Sequence, residues 1–200
     1  MSRGNGMYSG RLDEAFVFAH RLHRAQRRKG SGVPYVTHLM AVAALVGEHG
    51  GTEDQVIAAL LHDAVEDQGG EATLEVIRQR FGEAVARYVV ACSDAFTEPK
   101  PPWRERKETF LRELAAAPPD VKLLVAADKL HNAQTTLGDL KHMGSVVWDR
   151  FQGRREGTLW YYETAVASLE RDWDHPVLGA LRDLVQALRA HGDGAAPPAP

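Results

Sequence analysis

Cysteine and long apolar runs are both scarce in this sequence. The 200 residues include one cysteine, Cys92, which excludes an internal disulfide and any zinc module built from several cysteines. Cys92 follows the apolar run 88–91, so we expect a buried thiol there. The longest uninterrupted apolar run, residues 39–46, is far shorter than the ~20 residues that a membrane span needs. The sequence therefore predicts neither a disulfide scaffold nor a membrane protein.

An excess of positive charge is also missing. Lys and Arg number 24 against 27 Asp and Glu, which gives a formal net charge of −3. This balance provides no general electrostatic reason to bind the backbone of a nucleic acid. Residues 1–11 lack the apolar stretch of a secretory signal. We expect a cytoplasmic protein with no nucleic-acid or membrane partner, and the composition leaves its oligomeric state open.

The hydrophobic pattern favours an all-α fold. Apolar residues recur at steps of three and four from Leu12 to Leu22, which predicts a helix over about 11–29. No segment alternates with a period of two, as a half-buried strand would. We predict a single helical domain over 1–190 and a disordered tail over 191–200. Further helices are predicted from a cap at Thr37 to residue 50, from a capping box at Thr52 to residue 67, and over about 73–81, 83–93, 103–117, 120–137, 145–151, 156–173 and 177–190.

The end of the third predicted helix carries a group of polar residues. His62, Asp63, Glu66 and Asp67 occupy an arc of about 140° around the helix axis, and apolar residues fill the rest. The preceding two turns are apolar nearly all round, which indicates a largely buried helix. One imidazole and three carboxylates at the end of a buried helix are costly unless a cation compensates them. A divalent metal is the natural compensator.

Two other helices offer matching polar groups. Asp128, Asn132 and Thr135 form a polar stripe on the helix over 120–137, and His38 begins the second helix. We therefore expect three helices to direct His38, His62, Asp63 and Asp128 toward one point, as metal sites in helical bundles require. Nitrogen and oxygen donors without thiolate suit manganese, iron or zinc. Glu66 and Asp67 would then be available for proton transfer.

Three motifs together resemble a known family. They are Arg28-Lys29 with Pro34-Tyr35 and His38, the segment from Ala58 to Asp67, and the segment from Ala127 to Asn132. These motifs resemble the HD-domain metal phosphohydrolases, specifically the branch that removes the 3′-diphosphate of guanosine tetra- and pentaphosphate. The resemblance covers about residues 12–140. By its length, the chain is similar to the stand-alone small hydrolases of this family. The sequence departs from the pattern at Leu39, where many members have proline, and at Lys129, where the long bifunctional enzymes have arginine.

The resemblance implies a fold, a metal and a set of residue roles. The fold would be an HD-type bundle of about eight to ten helices. His38, His62, Asp63 and Asp128 would hold one Mn²⁺ ion, with iron or zinc possible. Glu66 and Asp67 would be the catalytic acidic pair. The nucleotide-binding residues would be Arg28, Lys29, Ser31, Tyr35, Asn132 and Thr135. A planar guanidinium at Arg28 suits stacking on a purine.

Several alternatives stay open at this stage. The substrate could be another phosphorylated purine nucleotide, such as the 2′-phosphate of NADPH or an adenosine alarmone, and a non-enzymatic nucleotide sensor would use the same pocket without turnover. Tyr161 and Tyr162 are read as core residues, with contact to substrate as the alternative. Four basic residues could reach the diphosphate or simply form a solvated helix face: Lys100, Arg104, Arg106 and Lys107.

Overall fold

The described residues of the chain are helical, with turns and short loops between the helices. A computed structural model describes residues 8–94 and 99–191, and within these ranges it contains ten α-helices, one 3₁₀ helix and no strand. The predicted all-α fold is thus confirmed. The elements are α1 (Gly10–Leu22), α2 (Val36–Glu48), α3 (Glu53–Leu61), α4 (Ala64–Asp67), α5 (Gly70–Phe81), α6 (Glu83–Cys92), α7 (Trp103–Ala116), α8 (Pro119–Met143), the 3₁₀ helix (Gly144–Arg150), α9 (Arg154–Leu169) and α10 (Pro176–Ala190).

The described residues divide into two compact units. The first unit contains residues 8–27 and 33–94, and the second contains residues 28–32 and 99–191. The short loop 28–32 therefore belongs to the second unit although its neighbours in sequence belong to the first. The prediction of one HD-type domain over residues 1–190 stays a prediction.

The first unit is built around α3. All residues from Gln55 to Leu61 are buried, and α1, α2 and α6 pack against this helix. The predicted capping box starts it: the Thr52 N–H donates to Gln55 Oε1 at 2.8 Å, and the Gln55 N–H donates to Thr52 Oγ1 at 3.3 Å. This cap satisfies two N–H groups that a helix start leaves unpaired. The buried helix carries His62 at its end.

The second unit is built around α8. This helix packs against α10 and the 3₁₀ helix, and α9 packs against both α7 and α10. Pro119 lies in the first turn, where its missing N–H costs nothing. The helix continues to Met143, beyond the predicted end near residue 137, because Leu140 extends the buried row of Ala133 and Leu137.

Two predicted helix boundaries in the first unit are wrong. The first helix ends at Leu22 rather than near residue 29, since the chain turns after His23 and Arg27 pairs with Pro34 in an isolated antiparallel bridge. In a longer helix the Gln26 carbonyl would accept a hydrogen bond from a later residue of the same helix. Here it accepts one from the Tyr35 N–H at 3.0 Å. Thr37 is not the cap of α2. Its hydroxyl donates to the Pro34 carbonyl at 2.8 Å from inside the first turn.

The predicted helix over 52–67 is interrupted at His62 and Asp63. α3 ends at Leu61, and the four-residue α4 begins at Ala64. In a regular helix the Ala59 carbonyl accepts a hydrogen bond from the N–H of residue 63. Here the same carbonyl lies 2.8 Å from His62 Nδ1. The His62 side chain thus bonds to a backbone carbonyl of α3 at the point where the helix is interrupted.

Some predictions fall on residues that the structure leaves out. They concern residues 1–7, part of the N-terminal segment predicted to contain no secretory signal, and the tail from residue 192 onward. Residues 95–98, between two predicted helices, also lie outside the described residues. None of the helices in the described part of the chain has the length and apolarity of a membrane-spanning helix.

Candidate active site

His62 has a defined tautomer in the first unit. Its ring is buried, with 2% of the residue exposed, and Nδ1 lies 2.8 Å from the Ala59 carbonyl oxygen. A carbonyl oxygen can only accept, so Nδ1 carries the proton. In the neutral ring the Nε2 lone pair is then directed away from the backbone and is available to a metal. Histidine ligands in metal sites are oriented by such a hydrogen bond on the other ring nitrogen.

His38 and Asp63 lie beside that lone pair. Asp63 Oδ2 is 3.0 Å from His62 Nε2 and 3.6 Å from His38 Nε2. His38 is buried on α2, and its ring meets the His62 ring edge to face with centroids 5.2 Å apart. Two imidazole nitrogens and a carboxylate oxygen therefore converge within the first unit. Such a group of lone pairs fits a divalent cation by its donor types and its charge.

Tyr35 holds the Asp63 carboxylate in place. The tyrosine hydroxyl donates to Asp63 Oδ2 at 2.6 Å, and the tyrosine ring stacks on His23 with centroids 5.4 Å apart. The family resemblance implies that Tyr35 binds the nucleotide. In the structure, the Tyr35 hydroxyl contacts Asp63, a predicted metal ligand.

The predicted catalytic pair lies on α4. Glu66 is half-buried, and Asp67 is exposed at the end of the helix. The side-chain amide of Gln26 donates to Asp67 Oδ2 at 2.7 Å. Both carboxylates thus follow Asp63 by a single helical turn, as predicted, although the helix that carries them is separate from α3.

Asp128 binds neighbouring side chains of α8 in the second unit. Its carboxylate is buried on α8 and accepts from Asn132 Nδ2 at 2.6 Å and from Lys129 Nζ at 2.7 Å. Burial lowers the pKa of the Lys129 ammonium, but the negative charge of Asp128 and the contact with Tyr161 outweigh this and raise the pKa well above its ordinary value. Lys129 therefore stays charged beside the Asp128 carboxylate.

Arg28 is bound to α8 within the same unit. Its Nη2 donates to Asn132 Oδ1 at 2.9 Å and to Thr135 Oγ1 at 3.0 Å. The structure thereby brings together three of the residues predicted to bind the nucleotide. Lys29 and Ser31 follow on the same loop and are exposed.

The predicted diphosphate cations have varied surroundings. Arg104 donates to Glu108 Oε1 at 2.6 Å and lies over the Trp160 ring. Arg106 donates to the Pro101 carbonyl at 3.1 Å, and Lys107 Nζ lies 4.8 Å from the centre of the Tyr161 ring. Tyr161 and Tyr162 are buried, in agreement with the core reading.

The sequence pattern did not predict a role for three residues that contact predicted site residues or the loop 28–32. His23 was given no special role, yet it is buried and stacked on Tyr35. Gln26 was not considered, and it binds Asp67. Arg150 lies against the glycine loop, where an added Cβ at Gly30 would collide with its side chain. The sequence carries no periodic signal for these contacts, because each joins a loop to a distant element.

Comparison with known proteins agrees with the helical fold. A family model described as HD domain matches residues 15–159. A solved structure described as a metazoan ortholog of SpoT that hydrolyses ppGpp superposes with a TM-score of 0.74 at 26% identity, covering 90% of this chain and 97% of that one. These matches define an all-helical domain of a metal-dependent class.

The curated relatives have related names. The human guanosine-3′,5′-bis(diphosphate) 3′-pyrophosphohydrolase MESH1 is 41% identical over 92% of this chain and 94% of its own length. The bifunctional (p)ppGpp synthase/hydrolase SpoT of Escherichia coli K12 is 36% identical over 66% of this chain, and the match covers 18% of the SpoT chain. The chain belongs to the HD-domain family.

Proposed function

We propose that this chain is a metal-dependent guanosine-3′,5′-bis(diphosphate) 3′-pyrophosphohydrolase. It would release pyrophosphate from the 3′ position and leave GDP or GTP. The observation that carries the proposal is the 41% identity to the human enzyme of that name over almost the full length of both chains. A small nucleotide is then the partner, and the cytoplasm is the inferred place of action.

His38, His62, Asp63 and Asp128 are the proposed metal ligands. His38, His62 and Asp128 are buried, and Asp63 is oriented by the Tyr35 hydroxyl. Two neutral imidazoles and two carboxylates match the charge of one divalent ion, and we propose Mn²⁺, with iron or zinc as alternatives. When bound, such an ion acidifies water and offsets negative charge on phosphoryl oxygens.

Glu66 and Asp67 are the proposed groups for proton transfer. Attack of water on the phosphorus attached to the ribose 3′-oxygen requires the water to lose one proton. Cleavage of the bond between that phosphorus and the 3′-oxygen leaves an oxygen that must gain one proton. Two carboxyl groups on one turn of helix can take up the first proton and donate the second. Glu66, being half-buried, is the better candidate for the base because it is partly screened from bulk water.

The remaining predicted residues would bind the nucleotide. Arg28 is held at its edge by Asn132 and Thr135, and a guanidinium held in this way still presents its flat faces to a purine. Asn132 and Thr135 can donate to ribose or phosphate oxygens. Lys29 and Ser31 would contact the substrate from the loop, and Tyr35 would line the pocket. One or two of the four cations Lys100, Arg104, Arg106 and Lys107 would meet the diphosphate.

Product analysis tests the proposed reaction. Manganese-loaded protein is given guanosine tetraphosphate, its adenosine counterpart, NADPH or a simple nucleoside monophosphate, and the products are separated by ion-exchange chromatography. Pyrophosphate and GDP from guanosine tetraphosphate are the expected products. Orthophosphate from NADPH, with no pyrophosphate from either alarmone, would instead identify a nucleotide phosphatase. Nucleotide binding without turnover of any compound would identify a sensor.

A further inference from the structure

Gln26 makes three polar contacts through one side-chain amide. Nε2 donates to Asp67 Oδ2 at 2.7 Å. Oε1 lies 2.6 Å from Gln68 Nε2, which donates to it, and 2.6 Å from His23 Nδ1. All of these residues belong to the first unit. The amide therefore links the segment after α1 to the end of α4.

The three contacts define one orientation of the amide. A carboxylate only accepts, so the NH₂ group of Gln26 must face Asp67. The carbonyl oxygen then faces Gln68 and His23, and His23 Nδ1 must be the donor. A flipped amide would place its oxygen against the Asp67 carboxylate and its NH₂ group against that of Gln68. Each contact thus favours the same orientation.

His23 anchors this amide to the core of the unit. The residue is 2% exposed, caps the end of α1 and stacks on Tyr35 with an interplanar angle of 18°. The Tyr35 hydroxyl in turn donates to Asp63. This stacked pair of rings, of which His23 is buried, therefore supports both the proposed metal ligand Asp63 and, through Gln26, the exposed carboxylate of Asp67.

We propose that Gln26 is a positioning residue that holds the Asp67 carboxylate in its reactive orientation, with His23 and Gln68 fixing the amide. This inference rests on the proposed catalytic role of Asp67. An exposed carboxylate at the end of a four-residue helix has several rotamers, and fixing one of them avoids an entropic cost in the reaction. Misplacement of a catalytic group by about 1 Å can cost about a hundredfold in rate.

Gln26→Leu tests the proposal, since it keeps the approximate size and removes both polar atoms. We expect kcat for guanosine tetraphosphate to fall roughly tenfold to a hundredfold, with KM and bound manganese near the wild-type values. Gln79→Leu is the matched control, because Gln79 Nε2 donates to the carboxylate of Glu75 at 2.8 Å on the exposed face of α5. This control should retain wild-type kcat.

A double-mutant cycle separates positioning from a general structural effect. If Gln26 acts through Asp67, Gln26→Leu should lower kcat in the wild type and cause no further loss in the Asp67→Asn background. Equal losses in both backgrounds would overturn the proposal. A normal kcat for Asp67→Asn would show that the catalytic assignment of Asp67 is wrong, whereas a low kcat for Asp67→Asn with a normal kcat for Gln26→Leu would refute the positioning role alone.

Crystal structures provide a readout that does not depend on turnover. In Gln26→Leu we expect the Asp67 carboxylate to adopt a different rotamer or several rotamers, while the His23 and Tyr35 rings stay stacked. An Asp67 carboxylate in its wild-type position would overturn the proposal, whatever substrate the enzyme uses.

Discussion

The Nδ1 atom of His62 lies 2.8 Å from the carbonyl oxygen of Ala59, three residues earlier in the chain. This hydrogen bond determines which ring nitrogen bears the proton and leaves Nε2 as the lone pair next to Asp63. The bond forms at the interruption between α3 and α4. A local break in a buried helix thus orients the ring of His62, a proposed metal ligand.

Asp63→Ala should abolish metal-dependent turnover. The change removes the carboxylate oxygen that lies 3.0 Å from His62 Nε2 and 3.6 Å from His38 Nε2, and with it the negative charge that two neutral imidazoles cannot supply. Metal content and rate are measured after chelation and reloading with manganese. A rate near that of the wild type would remove Asp63 from the ligand set.

Tyr35→Phe should weaken metal binding without unfolding the protein. It deletes the hydroxyl that donates to Asp63 at 2.6 Å and keeps the ring that stacks on His23. Loss of such a supporting hydrogen bond costs about 10- to 100-fold in metal affinity. Manganese titration measures the affinity, and Tyr8→Phe at an exposed position is the control. Equal affinities for all three proteins would contradict the prediction.

Glu66→Gln should lower kcat by about a hundredfold or more, as expected for a group in general acid–base catalysis, while metal content stays normal. Glutamine preserves the shape of the side chain but cannot take up the proton. Steady-state kinetics and elemental analysis of the same sample check the two quantities. Glu71→Gln, on the exposed side of α5, should behave as the wild type. If manganese is lost from Glu66→Gln, Glu66 is a ligand.

Arg28→Lys should raise KM for guanosine tetraphosphate by roughly tenfold, equivalent to about 1.4 kcal/mol, with a smaller change in kcat. Lysine keeps the charge but lacks the planar group that contacts Asn132 and Thr135 and can stack on a purine. Arg24→Lys, an exposed arginine just before the loop, is the matched variant. An unchanged KM would exclude Arg28 from the nucleotide site.

Gly30→Ala should destabilise the fold more than Gly32→Ala. Both glycines have positive φ, at 83° and 69°, so alanine costs roughly 1–2 kcal/mol at either position. Only at Gly30 would the new Cβ displace the Arg150 side chain, which must then give up its contacts with Asp139 and Met143, whereas Gly32 faces open space. Urea unfolding measures the free-energy difference, and adding Arg150→Ala should make the two glycine variants equal. Equal stability in the presence of Arg150 would contradict the structure of the loop.

Much of the fold follows from local pattern. The capping box at Thr52 predicts the start of α3, and the helices predicted over about 83–93, 103–117 and 177–190 correspond to α6, α7 and α10. The errors lie where long-range contacts compete with helix propensity. The first helix ends early because residues after His23 form backbone hydrogen bonds with the segment at Pro34 and Tyr35. The hydrophobic pattern of the helix itself gives no indication of this pairing.

The chemistry of the candidate site was determined by the sequence, because residue type decides which donor atoms His62, Asp63 and Asp128 can offer. Tertiary structure alone decided the tautomer of His62, the hydrogen bond from Tyr35 to Asp63 and the hydrogen bond from Gln26 to Asp67. These are single hydrogen bonds, sensitive to fractions of an ångström and to the direction of each donor. Periodicity reports which face a residue occupies, whereas only the packed chain determines which atoms meet.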